Sequence, residues 1–211
     1  PRLKDLSLTT SSYGSPIPRH FGRMRVAGTI IWATDLRETS ESSGGGKGKP
    51  KTTTFSYTSS FAVALSSRPI MDVGRIWADG NLLRGSAGDL KTGGTLRIYN
   101  GYGDQLPDPL IEAAEATASP AYRQRAYAVF EDLQLSDFGN RIPALTFEIL
   151  ADPGEISAQH LLEPISGGAR SDVGYFGLTG LSDEGGPIAA TFDTLGAVYP
   201  MAATSDGTKL L

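Results

Sequence analysis

The residues with the chemistry to catalyse a reaction are few and scattered. His20 and His160 are the only imidazoles. A metal site built mainly on histidine needs more, and neither has a second His at helix or strand spacing. His20 lies in the basic run Arg19-His20-Phe21-Gly22-Arg23, where desolvation and like charge favour a neutral, buried or interface ring. A Ser–His–Asp triad is assembled in space, but no G-x-S-x-G elbow is present to carry its nucleophile. Asp104, Asp108, Glu112, Glu131, Asp132 and Glu148 are the carboxylates that a glycosidase acid and nucleophile would need. Glu131 and Asp132 are adjacent on a predicted strand and are expected on opposite faces. Glu148 alternates with Phe147 and Ile149, so it is expected to face solvent or another subunit.

Two further patterns invite a ligand. Lys47 in Gly-Gly-Gly-Lys-Gly-Lys suggests a phosphate loop, but Glu41 stands where the first Gly belongs and Gly48 where Ser or Thr belongs. A flexible hairpin tip is the better reading. Tyr13, Trp32, Phe55, Tyr57, Phe61, Trp77 and Tyr99 could stack sugars or bases, but most share parity with aliphatic neighbours and are expected in the core. No catalytic, cofactor-binding or metal-binding residue is therefore assigned. The absence of cysteine removes disulfides, zinc–thiolate sites, iron–sulfur clusters and thiol nucleophiles.

The elements that would position these groups are mostly strands. Met24, Val26, Ile30 and Trp32 fall on one parity, as do Phe55, Tyr57, Phe61, Val63 and Leu65. Period two predicts half-buried strands over 23–34 and 52–66, joined as a long hairpin whose Gly/Ser/Lys tip, 38–51, cannot bury a core. Residues 1–22 read as irregular. A short hairpin follows, Arg75 to Ala78 and Asn81 to Leu83, around the turn Asp79-Gly80. Thr95 to Tyr99, Ala126 to Leu133 and Ala144 to Leu150 are further strands, with a breaker-rich turn from Ser136 to Pro143. Asp108 and Pro109 open a short helix through Ala116, the first as cap and the second at the first turn. Beyond Asp152-Pro153-Gly154 the texture changes to α+β: helices at 156–162 and 187–199, a strand at 174–178 and a hairpin over 201–211. The expected fold class is mainly β: an antiparallel β-barrel domain (1–151) with a long hairpin and one short helix, then a small, incomplete α+β domain (155–211).

A chain of 211 residues carries one large or two small domains. Its net charge of −4 does not point to nucleic acid, and no run approaches the ~18 apolar residues of a membrane span. The charge is uneven: residues 1–51 hold nine Lys/Arg against four Asp/Glu, the rest ten against nineteen. Complementary contacts between subunits would use that asymmetry. The chain opens without Met and stops at Lys209-Leu210-Leu211, inside what reads as a strand, so a piece of a longer protein is expected.

Several ordered strings carry a resemblance. Ser12 to Thr34 (SYGSPIPRHFGRMRVAGTIIWAT), Ser60 to Ile70, Gly74 to Gly85, Pro107 to Ala113 and Val129 to Leu150 together resemble the opening of the large tail-tip proteins, or baseplate megatrons, of siphophage-like viruses and gene transfer agents. The match is strong from 12 to 150 and looser after 155. It implies a virion protein of the tail tip: a trimeric ring of β-barrels continuing or capping the tail tube, with an inserted α+β hub domain. It also implies contact with other tail proteins (distal tail, hub, tape-measure-like) and a glycoside-hydrolase-like barrel outside this segment. It implies neither a cofactor nor sequence-specific nucleic-acid binding. Two departures stand out: the apolar, Gly-rich leader is missing, and position 20 is His where an aromatic or aliphatic residue is expected. The competing classes are a cell-wall glycoside hydrolase domain and a host carbohydrate-binding module.

Overall fold

One glycine divides the first predicted strand between two sheets. In the computed structural model, which describes residues 16–43, 52–115, 119–157, 177–184 and 194–195, β1 (Arg19–Ala27) ends at Gly28 and β2 (Thr29–Ala33) begins after it. A Cβ on Gly28 would stand against Val63 Cγ1 and 2.7 Å from Phe147 Cε2, so only glycine lets the backbone pass between these two core side chains. Then follow β3 (Arg37–Ser43), β4 (Thr52–Ser66), β5 (Asp72–Ala78), β6 (Asn81–Arg84), β7 (Thr95–Tyr99), the helix α1 (Pro109–Ala114), β8 (Ala126–Gln134) and β9 (Leu145–Leu150). Three short strands complete the set: β10 (Ile156–Ser157), β11 (Gly177–Leu178) and β12 (Gly180–Asp183).

The strands form an antiparallel sheet in the order β12-β1-β9-β5-β6 and a second in the order β2-β4-β8-β7, with β3 also on β4. Both give their inner faces to one core. Val26, Val73, Ile76, Phe147 and Ile149 come from the first sheet, and Phe61, Val63, Leu65, Ala128 and Phe130 from the second. The second sheet's outer face is also covered. Ala62, Tyr127 and Val129 pack against Ile111 of α1, with Trp32 and Tyr99 beside them. Small residues alternate with large ones in β4 because the helix side needs room that the core side does not.

The mainly β class with one short helix stands, but the barrel is corrected. The described strands make two open sheets, with β12 and β6 at the edges of one and β7 and the β2/β3 line at the edges of the other. The expected ribbon holds in part, because β2, inside the 23–34 segment, pairs with Phe61 to Ala64 of β4. It is β3, not the 23–34 segment, that pairs with the first part of β4, from Arg37↔Thr58 to Ser43↔Thr52. Residues 38–43, expected in a loose tip, are therefore strand. β1 begins at Arg19, inside the span read as irregular.

Parity fails at a bulge in β2. A register shift between Ile30 and Trp32 places Ile30 opposite core-facing Val63 and Trp32 opposite helix-facing Ala62. Two residues assigned to one face thus lie on two. The turn chemistry holds. Asp79 (φ 49°) and Gly80 (φ 85°) both take positive φ between paired Ala78 and Asn81. Asp108 caps α1, accepting from the backbone N–H groups of Leu110 and Ile111.

Past residue 155, Ile156 and Ser157 are strand rather than helix. They pair with Leu178 and Gly177, and Ile156 is buried with Leu195. That pairing outweighs the local helical spacing. β12 returns to β1 in the register Arg19↔Asp183 to Gly22↔Gly180. Thr194 and Leu195 are helical, within the span read as a helix. The rest of the 156–162 and 187–199 helices, the 201–211 hairpin, Tyr13, Lys47 and His160 lie outside the described residues.

Candidate functional site

Glu148 is the centre of a concentrated polar cluster. It sits on the outer face of β9, yet only 8% of it is exposed, because two arginines close over it. Arg75 of β5 donates from Nε at 2.9 Å, and Arg23 of β1 donates from Nη2 at 2.5 Å and Nε at 2.9 Å. The Arg75 backbone N–H adds a bond at 3.2 Å, and Gly74 leaves the space: a Cβ there would meet Glu148 Oε2 at 2.8 Å. The bond from Arg75 leads in holding the Glu148 pKa down to about 2, with burial opposing it and Arg23 adding to it. A carboxylate held that low cannot lend a proton as a general acid near neutral pH. Glu148 lies on the face opposite Phe147 and Ile149, as expected of a residue facing solvent or another subunit, but cross-strand arginines of its own chain cover it.

The same face carries Trp77, whose ring lies under two guanidinium groups, Arg25 at 4.0 Å and Arg75 at 5.3 Å from its centroid. Arg25 also donates to Thr146 Oγ1 at 2.8 Å. Arg84 is spent on backbone, donating to the carbonyls of Val73 and Gly74. The result is a sheet face of ordered arginines around one tryptophan and one buried carboxylate.

Asp108 is fully buried and does several jobs at once. Besides capping α1, it accepts from Arg97 Nε at 2.7 Å and Tyr99 O–H at 2.7 Å, while Arg97 Nη1 reaches Glu131 at 2.5 Å. Burial pushes its pKa up, but the bonds from Arg97, Tyr99 and the Ile111 N–H prevail and hold it below the usual carboxylate range. Burial, with the bond to Asp108, pushes the Tyr99 phenol up to about 12. Asp104 and Glu112 are exposed on the loop and helix around this anchor.

Glu131 and Asp132 do not part to opposite faces. A register shift between Ser59 and Phe61 puts an extra residue in β8, Asp132 takes φ 50°, and its N–H donates to Ser60 Oγ at 2.9 Å. Both carboxylates then line one open cleft of about 470 Å³, with Arg37, Thr58, Gly94 and Gln134 among its walls. Each is paired there, Glu131 with Arg97 and Asp132 with Arg37. No group of three or more potential metal ligands occurs among the described residues.

His20 is buried, and burial pulls its pKa down to about 4, against a raising hydrogen bond with the Leu65 backbone. Its Nδ1 has no partner. Beside it Arg68 grips Asp152 through two bonds, at 2.7 and 2.8 Å, and donates to the His20 carbonyl at 3.0 Å. The neutral imidazole is thus a packed core group.

Of the aromatics, Phe61 stacks on Phe130 with ring centroids 5.0 Å apart, and Tyr99 on Tyr127 at 4.4 Å. Tyr57 is buried with its hydroxyl on Glu38, and Trp32 Nε1 donates to Glu115. Phe55 is 40% exposed on the β3–β4 arm. The arginines of the sheet face went unnoticed in the sequence. Their signal was the i, i+2 pair Arg23 and Arg25 on a strand beside Arg75-x-Trp77, which puts all four side chains on one side.

No family model and no curated protein matches the chain. Among solved structures it is similar to a chain of one described as "Virion of native gene transfer agent (GTA) particle". The two are 43% identical over 71% of this chain, which spans 30% of that longer one, with a TM-score of 0.49. No helix among the described residues is long and apolar enough to cross a membrane.

Proposed function

We propose that this chain is a structural part of a phage-like tail tip, a baseplate hub segment. Its copies, three to a ring, cap or continue the tail tube and meet other tail proteins. The observation that carries the reading is the β3–β4 arm. All seven residues of β3 are exposed, and Thr52 to Ser56 of β4 pair with no described strand on their other side. A two-stranded ribbon is marginal in water by itself, and open edges invite further strands. A neighbouring chain that covers the arm removes both problems. The sequence identity to a virion chain points the same way.

Mass photometry of the purified chain from nanomolar to micromolar concentration tests the reading. A discrete species at three times the monomer mass is expected. Monomer at every concentration, with or without the other tail proteins, counts against it.

A further inference from the structure

We infer that the arginine–tryptophan face of the β12-β1-β9-β5-β6 sheet docks on the acidic loop–helix unit 102–115 of a neighbouring copy. The inference rests on the self-assembly just proposed and names the surfaces that would meet.

The first surface has charge to spare. Arg23 and Arg75 share one carboxylate, Glu148, while Arg25 is bonded to the neutral Thr146 hydroxyl. Arg23 and Arg75 keep 59% and 47% of their side chains exposed although both are bonded. Stacking on Trp77 and bonding to Glu148 and Thr146 fix the guanidinium planes, so little freedom is left to lose on binding. Leu82, cross-strand from Trp77, is 44% exposed and adds an apolar spot. Arginine and tryptophan around an aliphatic contact is the composition of an interface centre.

The second surface answers it. Residues 102–115 contain no Lys or Arg. Asp104, Glu112 and Glu115 are exposed there, and Asp108 is committed to Arg97. The nearby Arg123 donates to the Gln105 carbonyl and offsets one of the three charges. Tyr102 and Leu106 stand 50% and 70% exposed among these acids. The unit is rigid: Gln105 accepts from the Gly101 N–H at 2.7 Å and donates to the Ala121 carbonyl at 2.8 Å. Guanidinium forks meeting carboxylates give directed, charge-assisted bonds, and an apolar spot meets an apolar spot. Nucleic acid is the poorer occupant, since Glu148 sits in the middle of the arginines and would repel a phosphate chain. The two surfaces are different parts of one chain, so the contact is heterologous and repeats around a ring.

The chain has no cysteine, which makes a cross-linking test clean. Leu82→Cys and Leu106→Cys chains are prepared separately, assembled alone or mixed, and oxidised. A disulfide-linked dimer is expected in the mixture, at least tenfold above either chain alone. Arg25→Glu should abolish assembly of the full chain and the added change Glu112→Arg in the same chain should restore it, with circular dichroism checking that each variant is folded. A wild type that assembles while the mixture gives no excess cross-link overturns this interface and leaves self-assembly standing. A dominant Leu82→Cys homodimer also overturns it, by showing a face that meets itself. A wild type that remains monomeric sinks the self-assembly reading as well.

Discussion

Gly28 and Phe147 touch where the chain leaves one sheet for the other: a Cβ on the glycine would lie 2.7 Å from Cε2 of the ring. Phe147 is fully buried. Gly28→Ala is therefore expected to cost about 2–3 kcal/mol, as overpacking of a filled core does, read as a lower denaturant midpoint at unchanged slope. Gly103→Ala serves as the control, because nothing lies within 4 Å of its Cβ position.

Asp108 ties the helix to the sheet. Asp108→Ala removes the α1 cap and leaves the partly buried Arg97 with Glu131 alone. A loss of about 3 kcal/mol is expected, within the range for breaking a buried pair. Amide exchange should quicken in 110–114 before it does in β8.

Acid should weaken the fold in two stages, and His20 sets the first. Its folded pKa, about 4, lies below the ordinary 6.5, so between these values the unfolded chain binds the extra proton. Stability is full above pH 6.5 and falls as pH drops toward 4, by up to about 3 kcal/mol. His20→Phe should flatten that limb, and a variant with an unchanged slope there contradicts the assignment.

Glu148 sets the second stage. Its pKa falls from 4.5 to about 2, so its contribution is present above pH 4.5 and disappears between 4.5 and 2. Because Arg23 and Arg75 remain half in water, Glu148→Gln should cost about 1–2 kcal/mol at neutral pH. Its unfolding curve should lose the pH dependence in this lower window and keep that of His20.

Local chemistry was legible in the sequence and long-range chemistry was not. Asp79-Gly80 and Asp108-Pro109 announce their turn and cap because neighbouring residues decide both. The division at Gly28 depends on Val63 and Phe147, distant in sequence, so parity ran straight through it. The bulges at Ile30/Trp32 and Ser59/Phe61 exchange faces without any change of composition, which is why Trp32 and Asp132 were misplaced. Glu148 reads as facing solvent or another subunit because its cover is supplied by arginines from two other strands. The arginine face follows the same rule: its strand-wise spacing was visible, and its convergence on Trp77 needed the sheet order β1-β9-β5.

The most direct test is microscopy of intact particles assembled with this chain carrying a small gold-binding tag. A structural role at the tail tip predicts label at the distal end of the tail and threefold density at that position. Label on the capsid, or particles that assemble and deliver normally without the chain, contradicts it.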